Sequence, residues 1–162
     1  MSEQFDEIFD VLVIGSGCGG LTAALTADIS NPAKVLVIEK SHLIGGTSAT
    51  SGGVIWIPDN HLGKEKGAQD SISEAKDYLK ATIPADEFNE PLIDAYLDQG
   101  PKMVKFMQDH TDARYTSLEH YPDYFQDAPG VKLGNRALEP LPVSADVLGD
   151  DVDNLHLSLI HI

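Results

Sequence analysis

Apolar positions in the first part of the chain fall into two short runs, Ile8 to Ile14, interrupted once by Asp10, and Lys34 to Ile38, apolar from Val35 onward, with an Ala- and Leu-rich segment, Leu21 to Ile29, between them. Both runs predict strands, the β-branched Lys34 to Ile38 run one buried on both faces of a parallel sheet, and the segment between them predicts the crossover helix. Beyond Asp59 the pattern changes. Asn60 to Gln69 is polar, contains Gly and Lys, and reads as a surface loop. Ile72, Ala75, Leu79 and Ile83 then recur at three- and four-residue steps behind Ser71-Ile72-Ser73-Glu74, a capping box, so an amphipathic helix is expected here. Pro91 opens another helix through Leu92, Tyr96 and Leu97 to Gln99; Gly100-Pro101 is expected to break it, and Pro101 to start a third through Met103, Val104, Phe106 and Met107. Methionine and aromatic residues at this spacing read as core packing. Residues 114–155 set Tyr115, Tyr121, Tyr124 and Phe125 among Pro122, Pro129, Pro140 and Pro142 without clean periodicity, which reads as irregular or short-strand structure.

The first apolar run leads directly into Gly15-Ser16-Gly17-Cys18-Gly19-Gly20. In a G-x-G-x-x-G turn, Gly15 permits the tight bend off the strand, Gly17 lets the backbone approach a pyrophosphate, and Gly20 lets the following helix pack closely. The helix N-terminus then directs amides and a positive dipole end at phosphates. Glu39 ends the second run 24 residues after Gly15, near the offset expected for the acid that accepts hydrogen bonds from ribose hydroxyls. Strand, motif, helix, strand and acid in this order describe a dinucleotide-binding βαβ unit, and the acid favours an unphosphorylated ribose. Cys18 occupies a turn position that calls for a small residue rather than a redox thiol.

A second stretch of glycines and hydroxyls, Gly45-Gly46-Thr47-Ser48-Ala49-Thr50-Ser51-Gly52-Gly53-Val54-Ile55-Trp56-Ile57-Pro58, follows the acid. It offers small side chains and backbone donors along an extended cofactor, which a nicotinamide enzyme does not need. With it, the sequence resembles the flavoprotein family that contains fumarate reductase, succinate dehydrogenase and the 3-ketosteroid dehydrogenases, and is most similar to the ketosteroid dehydrogenase branch. The resemblance implies FAD as cofactor, held by Gly15, Ser16, Gly17, Gly19, Gly20, Glu39 and Lys40 at one end. Gly46, Thr47, Ser48, Ser51, Gly52 and Gly53 are expected along the rest of it, toward the flavin ring. Some relatives attach FAD covalently through a histidine several residues before the paired glycines. His42, three positions before Gly45, is too close, so noncovalent FAD is expected and His42 is read as an exposed loop residue.

The same resemblance organises the remainder. Residues 1–58 correspond to the N-terminal part of an α/β, Rossmann-like FAD-binding domain, 59–110 to its helical elaboration, and 111–155 to the start of an α+β substrate domain. Tyr121-Pro122-Asp123-Tyr124 looks like the opening of that domain, where Tyr121 matches the aromatic residue that lines the steroid pocket. Tyr124 matches a tyrosine that assists a second, catalytic tyrosine by hydrogen bonding. The alternative for Tyr124 is a half-buried tyrosine whose hydroxyl has merely found a partner. The implied reaction removes a proton α to a ketone while a hydride leaves the β carbon for flavin N5. The base, the ketone-binding tyrosine and the backbone donor lie, in the family, downstream of the positions matched here. The match stops near Leu155, so the chain is read as an N-terminal fragment, and His156 to Ile162 as a non-native tail or a short edge strand.

Composition narrows the partners. With 26 acidic against 11 basic residues and a net charge of −15, the chain lacks the clustered Lys and Arg that a nucleic acid or an anionic membrane requires. One cysteine excludes an internal disulfide and suits a cytoplasmic setting. No run is long enough to span a membrane, the acidic N-terminus has no basic n-region of a signal peptide, and His156 and His161 make a poor metal site. The expected partners are a steroid-like ketone and an electron acceptor. Alternatives are a fumarate reductase-like enzyme, whose dicarboxylate would need guanidinium clamps for which only Arg114 and Arg136 are available, and a catalytically incomplete FAD-binding fragment.

Overall fold

A computed structural model describes residues 7–157. The proposed tail therefore lies, from residue 158 onward, outside the described residues, as does most of the acidic N-terminus. The chain divides into two compact units: residues 7–53 together with 143–157, and Val54–Pro142.

In the first unit, strand β1 (Val11–Ile14) and strand β2 (Val35–Ile38) pair in parallel, Val11 opposite Val35 and Ile14 opposite Ile38. Helix α1 (Cys18–Ser30) makes the crossover, starting three residues earlier than its apolar stretch suggests because the glycine turn itself forms the first helical turn. The expectation that the second strand is buried on both faces is corrected, and the first strand is open on one face as well. Val13 faces α1 and is buried, but Leu12, Ile14 and Ile38 are exposed, since α1 covers one face of a sheet that has two strands among the described residues. Helix α2 (Gly46–Thr50) takes up part of the second glycine-rich stretch. Ile44 forms a parallel bridge with Leu155: its N–H donates to Asn154 C=O at 2.8 Å, and its C=O accepts from His156 N–H at 2.8 Å.

The second unit carries strand β3 (Ile55–Trp56), helices α3 (His61–Glu65), α4 (Ile72–Thr82) and α5 (Glu90–His110), and strands β4 (Tyr115–Ser117) and β5 (Ala137–Pro140). The strands form an antiparallel sheet in the order β3-β5-β4. Its core is Ile57, Val104 and Leu138, with Ile55, Leu62, Met103 and Tyr115 packed against them. Half of the capping box forms: Ser71 Oγ accepts the Glu74 N–H and donates to the Glu74 carboxylate at 2.9 Å, while the Ser71 N–H donates to Asp70 Oδ1 at 2.8 Å rather than to Glu74. Lys76 on α4 joins Glu90 and Asp94 on α5 at 2.8 and 2.7 Å.

Two other expectations are corrected here. Asn60 to Gln69 is not a plain surface loop. Asn60 is buried and caps α3, accepting from Gly63 N–H at 2.7 Å while its amide donates to the carbonyls of Ile57 and Asn135. Gly100-Pro101 does not break the helix that Pro91 opens either, because α5 runs unbroken through it and takes in the expected third helix. Proline costs an interior helix roughly 3 kcal/mol. Leu97, Gly100, Val104 and Met107 form one buried stripe on both sides of Pro101, and a side chain at Gly100 would crowd Ile57 at 3.3 Å, so packing outweighs the lost backbone bond.

Candidate functional site

The first part of the site is the glycine turn between β1 and α1. Gly15 has φ +99° and its N–H donates to Ile38 C=O at 2.8 Å, tying the bend to the second strand. A Cβ on Gly20 would stand 2.0 Å from Gly15 O, so helix and turn touch backbone to backbone. Gly17 and Gly19 behave differently. A Cβ on Gly17 would meet only Ser48 Oγ, at 3.7 Å, and one on Gly19 nothing within 4 Å. Protein packing thus requires no glycine at these two positions, and the open space lies where a pyrophosphate would approach. Gly17 caps α1 without a side-chain bond, and no acid stands in the first turn, so the positive end of a 13-residue helix is open to an anion. On this geometry the residues present fit a dinucleotide.

Ser16 holds the turn to both neighbouring segments. It is buried; its Oγ donates to Glu39 Oε2 at 2.7 Å and accepts Gly45 N–H at 2.9 Å, while its own N–H donates to Glu39 Oε2 at 3.0 Å. The Ser16 hydroxyl, with the N–H groups of Ser41 and Ser16, holds the Glu39 carboxyl down to about 2, well below the ordinary carboxylate value. Glu39 is therefore a fixed anion beside the turn, oriented by serines that the spacing argument did not identify. Ser48 Oγ accepts Cys18 N–H at 3.0 Å, and Gly46 stands next to Gly17, so the two glycine-rich stretches abut. Ser51 bonds locally, its Oγ donating to Ser48 C=O at 2.9 Å and accepting Gly53 N–H at 3.1 Å. Lys40, Thr47 and Gly52 are exposed, as is His42.

The second part lies within Val54–Pro142. A cavity of about 270 Å³ is lined by Val54, Trp56, Tyr78, Leu79, Tyr121, Pro122, Asp123, Tyr124 and Ala137. Tyr121 and Tyr124 place their hydroxyls 3.4 Å apart, with 44% and 81% of their surfaces exposed, so Tyr124 is not half-buried. The hydrogen bond to Tyr124 pushes the Tyr121 phenol up from its ordinary value. Beneath the tyrosines is a group that sequence reasoning missed. Asp123 is buried; its Oδ1 accepts Trp56 Nε1–H at 2.7 Å, and its Oδ2 accepts Arg136 Nη1–H at 2.8 Å and Lys132 N–H at 2.9 Å. Arg136, 1% exposed, also grips Asp70 through Nε and Nη2 at 3.0 and 2.7 Å. Burial would raise the Asp70 carboxyl, but the Arg136 hydrogen bond and charge, with the Asp59 N–H, hold it below its ordinary value. These partners lie 66 and 67 residues apart for Asp70–Arg136 and Trp56–Asp123, beyond any local signal. Neither arginine is available as a dicarboxylate clamp at this cavity: Arg136 is held by two aspartates, and Arg114 donates to the carbonyls of Thr111 and Ala113.

Comparison with known proteins gives a consistent picture. The FAD binding domain family model matches residues 10–145. A 3-oxosteroid 1-dehydrogenase of Mycobacterium tuberculosis is 42% identical over 148 residues, 91% of this chain and 26% of the relative. A 4-oxocyclohexanecarboxylate 2-dehydrogenase of Sinomonas cyclohexanicum is 41% identical over 148 residues, 91% of this chain and 25% of the relative. The crystal structure of 3-ketosteroid delta1-dehydrogenase from Sterolibacterium denitrificans in complex with 1,4-androstadiene-3,17-dione superposes with a TM-score of 0.85 at 40% identity, covering 94% of this chain and 27% of that one. The chain thus spans about a quarter of the length of these relatives. No helix among the described residues is long and apolar enough to cross a membrane. With the glycine turn, the fixed Glu39 anion and a family match over most of its length, the chain belongs to the FAD binding domain family, and its dinucleotide is FAD.

Proposed function

We propose that this chain supplies the FAD-holding motifs and one wall of the substrate pocket of a dehydrogenase that desaturates a ring next to a ketone, of the 3-ketosteroid type. The observation that carries the reading is the largely apolar cavity with two tyrosine hydroxyls at its edge. Trp56, Tyr78, Leu79, Val54 and Pro122 offer apolar surface to a fused ring system, and Tyr121 and Tyr124 offer hydroxyls to polar groups at its edge. FAD, when bound, supplies the hydride acceptor. In this reading Gly15, Gly17, Gly19 and Gly20 bring backbone amides to its pyrophosphate, and Ser16 orients Glu39 for a ribose. Gly46, Thr47, Ser48, Ser51, Gly52 and Gly53 line its path, with Lys40 beside the acid, and no covalent attachment is involved. Tyr124 holds a proton at its hydroxyl and shares it with a neighbouring tyrosine, while Tyr121 lines the pocket. An electron acceptor and a cytoplasmic setting accompany the reading.

The Sinomonas relative's name specifies a carboxylated ring, so the substrate class needs its own argument. Among the described residues no Lys or Arg lines the cavity, and Arg136 beneath it is doubly paired. An uncharged steroid fits such a lining better than a carboxylate does. Trp56, the chain's single tryptophan, lies in the wall and reports occupancy by its fluorescence. Titration with 1,4-androstadiene-3,17-dione should change that emission, and 4-oxocyclohexanecarboxylate should not; the opposite result would replace the steroid reading with the small-ring one.

A further inference from the structure

Tyr121 and Tyr124 are exposed and meet through their hydroxyls, and the segment that carries them is anchored from beneath. Asp123 N–H donates to Lys132 C=O at 2.9 Å, Phe125 N–H donates to the Tyr78 hydroxyl at 3.2 Å, and three N–H donors, from Trp56, Lys132 and Arg136, converge on the Asp123 carboxylate. The Arg136 guanidinium also lies 5.4 Å from the Trp56 ring centroid and 5.9 Å from that of Tyr78, and these two rings stand 5.9 Å apart as part of the cavity wall. One buried cation therefore touches the wall and, through Asp123, the tyrosine segment, and it is itself held from the far side by Asp70, which does not line the cavity.

We propose that Arg136 is the positioning residue of this pocket: clamped by Asp70, it sets the Tyr121–Tyr124 pair through Asp123 and the Trp56–Tyr78 wall through its face. A planar fork is needed for this, because a lysine ammonium cannot serve two carboxylates and two rings in the same geometry. The part of the proposal that concerns ligand affinity rests on the steroid reading above; the part that concerns the tyrosines does not.

The test uses the 162-residue chain with [13Cζ]tyrosine and the variants Arg136→Lys and Asp70→Asn. Tyr124→Phe, which leaves the Asp70–Arg136–Asp123 triad intact, shows how Tyr121 titrates once its partner hydroxyl is gone. In folded R136K and D70N, the raised Tyr121 titration should fall to the value seen in Y124F. Affinity for 1,4-androstadiene-3,17-dione should weaken about tenfold or more, with FAD affinity unchanged because its motifs contain none of these residues. An unaltered Tyr121 titration together with an unaltered steroid affinity in both folded variants would overturn the proposal. If the unmodified chain binds no steroid, the steroid reading falls, and the tyrosine titration still decides the role of Arg136. If both variants lose their fold, Trp56→Phe removes a single donor to Asp123 and is judged by the same titration.

Discussion

Gly19 and Gly20 are neighbours in the same turn, yet a methyl group on each should act in opposite ways. At Gly20 it would stand 2.0 Å from backbone oxygen, so Gly20→Ala should lower stability and FAD affinity together, as read by denaturant melts and FAD titration. At Gly19 it meets no protein atom within 4 Å, so Gly19→Ala should leave the melt unchanged and weaken FAD alone. A fold-stability loss for Gly19→Ala would show that the open space serves packing rather than a ligand. Ser16 makes a third contrast. Ser16→Ala strips a hydroxyl bond from Glu39 and leaves Gly45 N–H unpaired in the buried turn, at a cost of about 1–3 kcal/mol by chemical denaturation. It should also raise the Glu39 titration from about 2 toward the ordinary carboxylate value, visible by carboxyl NMR. Because the folded value lies below the unfolded one, the stabilisation from Glu39 is complete above the ordinary carboxylate range and disappears as pH falls toward about 2.

At the scale of elements, α5 tests how far packing overrides local preference. Pro101 leaves Leu97 C=O without the usual backbone donor, so Pro101→Ala should restore that bond and raise the melting temperature, with helical content by circular dichroism unchanged or slightly higher. A lower melting temperature would mean that the proline ring itself contributes to packing. The same helix shows which features the sequence discloses. The βαβ unit and the α4 capping box are legible because each is written within a few adjacent residues: glycine turn, apolar run, Ser71 and Glu74. The continuity of α5 was not, since it depends on Ile57, some forty residues away, lying against Gly100. Likewise a short motif singles out Tyr121 and Tyr124, while nothing local marks the role of Asp123 between them, because its partners Trp56 and Arg136 come from strand β3 and the edge of β5.

Across the whole molecule the core is unevenly shared. Val13 and Ala24 are the buried apolar side chains of the first unit among the described residues, whereas Val54–Pro142 holds Ile57, Ala75, Tyr78, Leu97, Val104, Met107, Ala137 and Leu138. A two-stranded parallel sheet is marginal in water without further cover. Amides of β1 and β2 should therefore exchange with deuterium faster than those of α5, and added FAD should slow the former selectively; equal protection without FAD would contradict this uneven distribution. The second unit depends instead on its buried triad. Arg136→Met leaves Asp70 and Asp123 without their cation and should destabilise that unit by about 3–5 kcal/mol, measured by denaturant unfolding. The Ile44–Leu155 bridge carries a last consequence, for synthesis. A ribosome makes the glycine turn first, but the strand-like partner of Ile44 is translated more than a hundred codons later, after Val54–Pro142 has been completed. Nascent chains should accordingly acquire protease resistance in Val54–Pro142 before the Ile44–Leu155 bridge can form, so the bridge closes after the segment that lies between its two ends.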